Sequence, residues 1–499
     1  MTRSETPSND LINLSPGPVP TESALLNQAH IAAGEALIEV QRGSLQAQDV
    51  ASQLLQNQQL TSLQLTRLAR ELQFAAIHVQ EGAMHVASAL WKQSGIQISD
   101  SARAGTLAQA ASLKEDGDKL FAEGSVKPAI DCYRKALSID PTLSAADGNL
   151  AIALLADGQY QEATEGLLRS LVRDHGLPSE RLATFVEDVG SPKTGSSYAS
   201  PYKLRDRSDQ LRYLIDQGRI DSSFEKLAER HEDLLEEIES EGGRQPYTPL
   251  SNRQLDPFCG YFDKLVHYRN SAAPKEGVLN PHLDFAAIEE EYRRNRCLYF
   301  DGLLSEAALA ELRRFCLEST VFFRHSEAGF VGSYVAEGFA CDLVLQLISE
   351  LRRKLPNILG PLPINNMWCY RYGGRGHGVL PHNGDGSVTL NFWLTPDSAN
   401  LGIPGSGGMV MYSKTHPSNW DWATFNRYKD DPGIQAKIAE YLADAEAKTV
   451  PYKCNRAVLF HSTLFHKTDP FDFKDTFCDR RMNITMLFGR RAEESASLR

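Results

Sequence analysis

Apolar positions recur every three to four residues along 22–105, in an Ala-, Leu- and Gln-rich stretch almost free of Gly and Pro. Segments such as LLNQAHIAAGEALIEV and LQFAAIHVQEGAMHVASALW predict amphipathic helices. The next block, 106–185, repeats itself after 34 residues. Gly117, Ala129, Tyr133 and Ala136 are followed one period later by Ala151, Ala163, Leu167 and Ser170. Small residues at those points let paired helices approach closely, and Pro141 stops the second helix of the first pair. SPKTGSSYASPYK predicts a linker, taken as 186–206, and 207–285 reads as a helical connector with the charged helix FEKLAERHEDLLEEIESEGG. The texture changes at 286. CLYFDGLLSEAALAELRRFCLEST predicts a strand, a turn and a helix, and after residue 366 short strands alternate with Gly-rich turns up to 493. Residues 1–21 and 494–499 read as an unstructured arm and tail. The pattern predicts an α+β multidomain chain, helical in its N-terminal half and a β-roll or barrel in its C-terminal part.

Composition narrows the function classes. The chain has 499 residues, 42% hydrophobic and 23% charged, with a net charge of −12. That balance argues against nucleic acid as the main partner, since phosphate binding needs clustered cations. No apolar run approaches the roughly 20 residues of a membrane span, and no apolar segment follows a basic start as in a signal peptide. The eight cysteines stand singly, without a Cys-x-x-Cys pair, as expected of reduced thiols in a cytoplasmic protein.

Three segments carry the candidate chemistry: MWCYRYGGRGHGVLPHNGDGSVTLNFWLTP, GSGGMVMY and NRAVLFHSTLFHKTDPFDFKDTFCDRRMNITMLFGRR. Together they resemble the Fe(II)/2-oxoglutarate oxygenases over about residues 285–491, in particular the bacterial group that fuses tetratricopeptide repeats to such a domain. The resemblance implies a double-stranded β-helix (jelly roll) that binds Fe(II) and 2-oxoglutarate and uses O2. Phe460-His461-Ser462-Thr463-Leu464-Phe465-His466 is similar to the F-H-x-x-L-x-H of phytanoyl-type members, which makes His466 a metal ligand and His461 a supporting or packing residue. His382 is the first metal ligand. Arg481, with Asn483 and Thr485 on the same strand face, is placed to hold 2-oxoglutarate through a bidentate guanidinium. Arg480 is then expected at the surface. Tyr370 and Tyr372 share a face of the entering strand, where they either donate to the cosubstrate or pack. His377 lies on a Gly-rich loop as a gate or a plain loop residue. Gly407 and Gly408 form a turn before a core strand, and Trp420 and Trp422 line a lid or pack.

The carboxylate of the usual two-His, one-carboxylate triad is misplaced. The repeat-fused relatives look like His-Ala-Asp-x-x-x-Val-Asn, whereas this chain has His382-Asn383-Gly384-Asp385-Gly386-Ser387-Val388-Thr389. The register to Val388 is kept, so Gly384 takes the ligand position and Asp385 lies one place beyond. A one-place shift in a strand turns a side chain to the other face. His-x-Gly resembles the radical halogenases, in which chloride binds iron in the space the carboxylate vacates. That reading is preferred. A hydroxylase with Asp385 brought in by its flanking glycines remains open, as does an inactive roll in a repeat-based binding protein. The substrate is a small molecule, a peptide or a carrier-tethered group, and the repeats offer a surface for a protein partner.

Overall fold

The computed structural model describes residues 100–490 apart from 178, 186–196, 241–247, 327, 422–424 and 426–430. The N-terminal arm, the helical segment up to residue 99, most of the linker, Trp422 and the tail lie outside the described residues. The chain divides into two compact units, 1–108 and 109–499, and apart from the start of the first helix everything below concerns the second.

Four helices open the description: α1 (Asp100–Ala122), α2 (Val126–Ile139), α3 (Ser144–Asp157) and α4 (Tyr160–His175). They occupy the repeat region, and the small residues do the work expected of them. A Cβ on Gly117 would stand 2.6 Å from the Tyr133 ring, and one on Gly166 would stand 2.8 Å from the Ala151 Cβ. Ala129, Ala136, Ala151 and Ala163 are fully buried between helices. α2 stops at Ile139, two residues before Pro141.

α5 (Pro201–Asp216) and α6 (Glu225–Ser240) follow. The Ser200 hydroxyl accepts from the Lys203 N–H and Pro201 occupies the first turn, so the helix begins inside the expected linker, whose last six residues are helical. Leu204, Leu211, Leu214, Phe224, Leu227 and Phe258 close a core between these helices.

The β-domain is reached through α7 (Phe285–Asn295), and carries α8 (Glu306–Glu318) and α9 (Asp342–Lys354) beside its strands. The strands are β1 (Cys297–Asp301), β2 (Arg324–Ser326), β3 (Phe330–Tyr334), β4 (Ile364–Tyr372), β5 (Val388–Trp393), β6 (Met409–Thr415), β7 (Ala447–Val450), β8 (Arg456–His461), β9 (Leu464–Thr468) and β10 (Met482–Phe488). One sheet has the order β1-β8-β5-β10-β4-β3-β2 and the other β7-β6-β9, extended by a bridge from His382 to His466 on β9. From β4 onward the chain passes repeatedly between the two sheets. The core order β4-β10-β5-β8 facing His382-β9-β6-β7 is that of a jelly roll, as expected. A helix, α10 (Pro432–Leu442), is inserted between β6 and β7.

Strand alternation gives the large sheet two different faces. Met367, Cys369 and Arg371 on β4 and Met482, Ile484 and Met486 on β10 are buried on the outer side, where Cys316 of α8 comes within 3.8 Å of Cys369. Arg371 donates to both oxygens of Asp206 on α5 at 2.8 and 2.6 Å. Arg480 adds a 3.1 Å bond to Asp206 and an ion pair with Asp209. Arg480 is only 1% exposed, so its expected surface position is corrected. It lies under the helical layer because Asp206 and Asp209 supply the counter-charge that a buried guanidinium requires. Burial alone would raise the Asp206 carboxyl, but the pull of Arg371 and then Arg480 outweighs it and holds the group below its ordinary range. The repeat block also touches the β-domain directly: a Cβ on Gly338, which has φ +99°, would stand 2.8 Å from Leu171 of α4.

Candidate active site

The inner face of the large sheet is unusually polar for a roll interior. β5 presents Thr389, Asn391 and Trp393, β10 presents Arg481, Asn483 and Thr485, and β4 presents Trp368, Tyr370 and Tyr372. The register sets them in rows: Asn391 opposite Thr485, which faces Trp368, and Trp393 opposite Asn483, which faces Tyr370.

His382 and His466 are joined through their main chains. Each N–H donates to the other's carbonyl, at 3.0 and 2.9 Å. Antiparallel pairing puts both side chains on one face, with ring centroids 4.3 Å apart. Nδ1 of His382 lies 2.8 Å from the Leu380 carbonyl and Nδ1 of His466 lies 3.0 Å from the Leu464 carbonyl. A carbonyl only accepts, so each Nδ1 carries the proton and each Nε2 carries the lone pair, the tautomer a metal ligand needs. Burial pulls His466 down to about 4, against the bond to Leu464, so the ring is neutral at ordinary pH. Phe460 packs against it at 4.8 Å.

Beyond the isolated His382 bridge the chain stays tied down. Gly384 N–H donates to the Ser462 carbonyl at 2.8 Å, and Asn383 turns the other way to reach Nδ1 of His416 at 3.1 Å. Gly384 lies two places beyond His382, where a Cβ would point toward Thr389, and Asp385 is exposed in the bend beyond. A Cβ on Gly384 would make ordinary contacts of 3.4–3.5 Å with Ser462 and Thr389, so the position has room. Among the described residues, no three His, Cys, Asp or Glu side chains gather as a metal-holding cluster.

Arg481 points into the roll and is 2% exposed. Its Nε donates to the Gly407 carbonyl at 2.7 Å, one terminal nitrogen to the Gly408 carbonyl at 3.3 Å and the other to Asn483 at 3.1 Å. Unlike Arg480, it makes no carboxylate ion pair among the described residues. Burial depresses its pKa, with Tyr372, Tyr452 and the Asp469 carboxylate opposing. Tyr372 and Phe471 flank the guanidinium at 4.9 and 5.5 Å. Asn483 and Thr485 continue the chain of bonds, and Asn391 donates to Thr485 at 2.8 Å. Two polar atoms of this interior are buried without a hydrogen-bond partner: Asn391 Oδ1 and Trp393 Nε1. A buried guanidinium held by carbonyls and an amide, beside such polar atoms, is chemistry that suits a small carboxylate.

The other sequence candidates fall into supporting places. Tyr370 is stacked on Phe330 and its hydroxyl meets that of Tyr334 at 2.6 Å, away from Arg481's immediate flank. Nδ1 of His461 accepts from the Thr463 hydroxyl at 2.6 Å. His377 is exposed on its loop. Gly407 and Gly408 form the expected turn and also present the carbonyls that hold Arg481. Trp420 stacks on Phe425 at 4.3 Å in a satellite core with Tyr441 and Phe465. Gln435 of α10 donates to the Pro381 carbonyl, so the inserted segment flanks His382. Thr389, Asn391, Trp393 and Ser462 were not singled out from sequence. The signal was present, because polar residues alternate with Leu390 and Phe392 on a strand otherwise built for a core.

No protein-family profile matches the chain, and no curated protein sequence does. Among solved structures it is similar to SnoK, a non-heme α-ketoglutarate-dependent carbocyclase of nogalamycin biosynthesis, at 14% identity and TM-score 0.32, over 45% of this chain and 94% of that one. It is also similar to a Pseudomonas putida prolyl-4-hydroxylase, at 18% identity and TM-score 0.28, over 42% and 99%. HygX from Streptomyces hygroscopicus, solved with nickel and 2-oxoglutarate, matches at 14% identity and TM-score 0.28, over 40% and 85%. At such scores these likenesses carry no argument, and the fold assignment rests on the strand order above.

Proposed function

We propose that the chain is an Fe(II)- and 2-oxoglutarate-dependent oxidoreductase of the radical halogenase type. The observation that carries this is the paired, Nδ1-anchored His382 and His466 with Gly384, not a carboxylate, two places beyond His382 and next to Thr389. The donor set fits the metal: two imidazoles with Nε2 lone pairs on one face suit Fe(II) and leave room for other ligands. Arg481 fits the cosubstrate, because a buried guanidinium without an ion pair gains a partner in the distal carboxylate of 2-oxoglutarate. When bound, iron with 2-oxoglutarate, O2 and a halide supplies hydrogen abstraction from an unactivated carbon and halide transfer to it, releasing succinate and CO2. The chain's own residues bind and orient. Asn483 and the Gly407 and Gly408 carbonyls fix the Arg481 fork, and Tyr372 and Phe471 wall it. The Leu380 and Leu464 carbonyls fix the histidine tautomers. Met409, Met411, Val458 and Phe460 surround the site with apolar surface that excludes bulk water. The substrate is a small molecule, a peptide or a carrier-tethered group, the last two being served by a repeat block that packs on the catalytic domain.

The test is anaerobic reconstitution. One Fe(II) and one 2-oxoglutarate per chain are expected, with chloride perturbing the visible absorption of the complex. Admission of O2 should then yield succinate. Protein that binds neither iron nor 2-oxoglutarate would overturn the proposal. A crystal structure of the loaded enzyme with Asp385 on the metal would end the halogenase form of it.

A further inference from the structure

Resting on that reading, the halide needs more than a vacant side-chain volume. A small anion brought out of water into a buried site must replace its hydration with donors. Three observations identify donors at Gly384. A Cβ there would lie 3.5 Å from Thr389 Oγ1, 3.4 Å from Ser462 Cβ and 3.5 Å from the Ser462 carbonyl oxygen, so the Thr389 hydroxyl faces the volume that a longer residue would fill, while the Ser462 hydroxyl lies behind it, toward Gly386. Both are buried, at 2% and 0% exposure. Their hydroxyl oxygens are 2.7 Å apart. Two hydroxyls carry two protons, and the bond between them uses one. The second has no protein acceptor among the described hydrogen bonds. Main-chain donors near by are already committed: Gly384 N–H to Ser462, Ser462 N–H to Ser387 and His466 N–H to His382.

We infer that Thr389 and Ser462 form a relayed hydroxyl donor for a monovalent anion, chloride or bromide, held in the space Gly384 leaves open. Ser462 donates to Thr389, which donates to the anion. The relay strengthens the outer bond, because a hydroxyl that accepts a bond becomes a better donor. No cation contributes, which suits an anion that must later leave. The two residues are positioning residues for the halide and touch neither iron nor 2-oxoglutarate in this assignment.

The experiment titrates sodium chloride into the anaerobic protein loaded with Fe(II) and 2-oxoglutarate in chloride-free sulfate buffer, following the visible absorption band of the complex. Wild type should show a saturable shift. Thr389→Val and Ser462→Ala should each raise the chloride dissociation constant about tenfold, the effect of one lost bond to a charged group. Their 2-oxoglutarate affinity without chloride, measured in the same samples, should be unchanged, which also reports that both variants fold. Variants that bind chloride like wild type while still binding 2-oxoglutarate would overturn the inference and leave the proposed function standing. A wild-type complex that forms normally but ignores chloride would remove the halide from the proposed function and this inference with it.

Discussion

Asp206→Ala tests whether the layer of charge under the roll holds the sheet to the helices. The carboxylate accepts three bonds, at 2.8, 2.6 and 3.1 Å, from two guanidiniums that are 0% and 1% exposed. Removing it leaves Arg371 without a carboxylate, stacked between Phe322 and Phe477 at 4.2 and 4.6 Å. Arg480 keeps its pairing with Asp209 and Asp475. Breaking a buried pair from one side costs about 3–5 kcal/mol, because the orphaned charge cannot regain water. Urea unfolding followed by tryptophan fluorescence measures this, and a double-mutant cycle with Arg371→Ala isolates the coupling. A coupling under about 1 kcal/mol, the range of exposed pairs, would refute the argument. The acid limb gives a second check. The folded pKa of Asp206 is lowered, so its contribution is fully present above the unfolded value of about 3.9 and is lost as pH falls through the lower folded value. The gap between wild type and variant should therefore narrow only below about pH 4.

Other outcomes follow from single contacts. Arg481→Lys keeps the charge but loses the fork, and should weaken 2-oxoglutarate binding tenfold or more by calorimetry, on the order expected for one charge-assisted bond; equal affinity would place the cosubstrate elsewhere. Gly338→Ala combines a φ of +99° with a 2.8 Å approach to Leu171. The backbone alone should cost about 1–3 kcal/mol in a denaturant melt, and a neutral result would mean that α4 does not press on this turn. Gly384→Ala should be neutral or stabilising by about 0.4–1 kcal/mol, since its Cβ makes only ordinary contacts. Gly384→Asp should lose the chloride response of the loaded protein, and an unchanged spectrum would separate that position from the halide.

The fold was legible where period and turn chemistry agree. The alternation of 367–372 and 482–488 announced two-faced strands, and the small residues at Gly117, Ala129, Ala136 and Ala151 announced close helices. The site was legible in its histidines and in Arg481, because the face of a strand follows from counting. What counting missed depended on partners far away in sequence. Arg480 reads as solvent-facing by its charge, and only Asp206 and Asp209, more than two hundred and fifty residues earlier, make its burial tolerable. Thr389 and Ser462 gain meaning only because β5 and β8 pair in the register that sets Val388 opposite His461. The start of α5 was missed because Ser200-Pro201, a helix opening, sits in a run of turn formers.

The main-chain ladder around the histidines has an evolutionary consequence. His382 is pinned to His466, Gly384 to Ser462, and Ser387 at once to Ser462 and Phe488, so the connecting bend is fixed at both ends. The chain cannot slide Asp385 into the place of Gly384 without breaking those bonds. New chemistry at this site is therefore reached by replacing the residue at 384 and not by remodelling the loop. A single point mutation there would change what the proposed metal site is offered while the scaffold stays still.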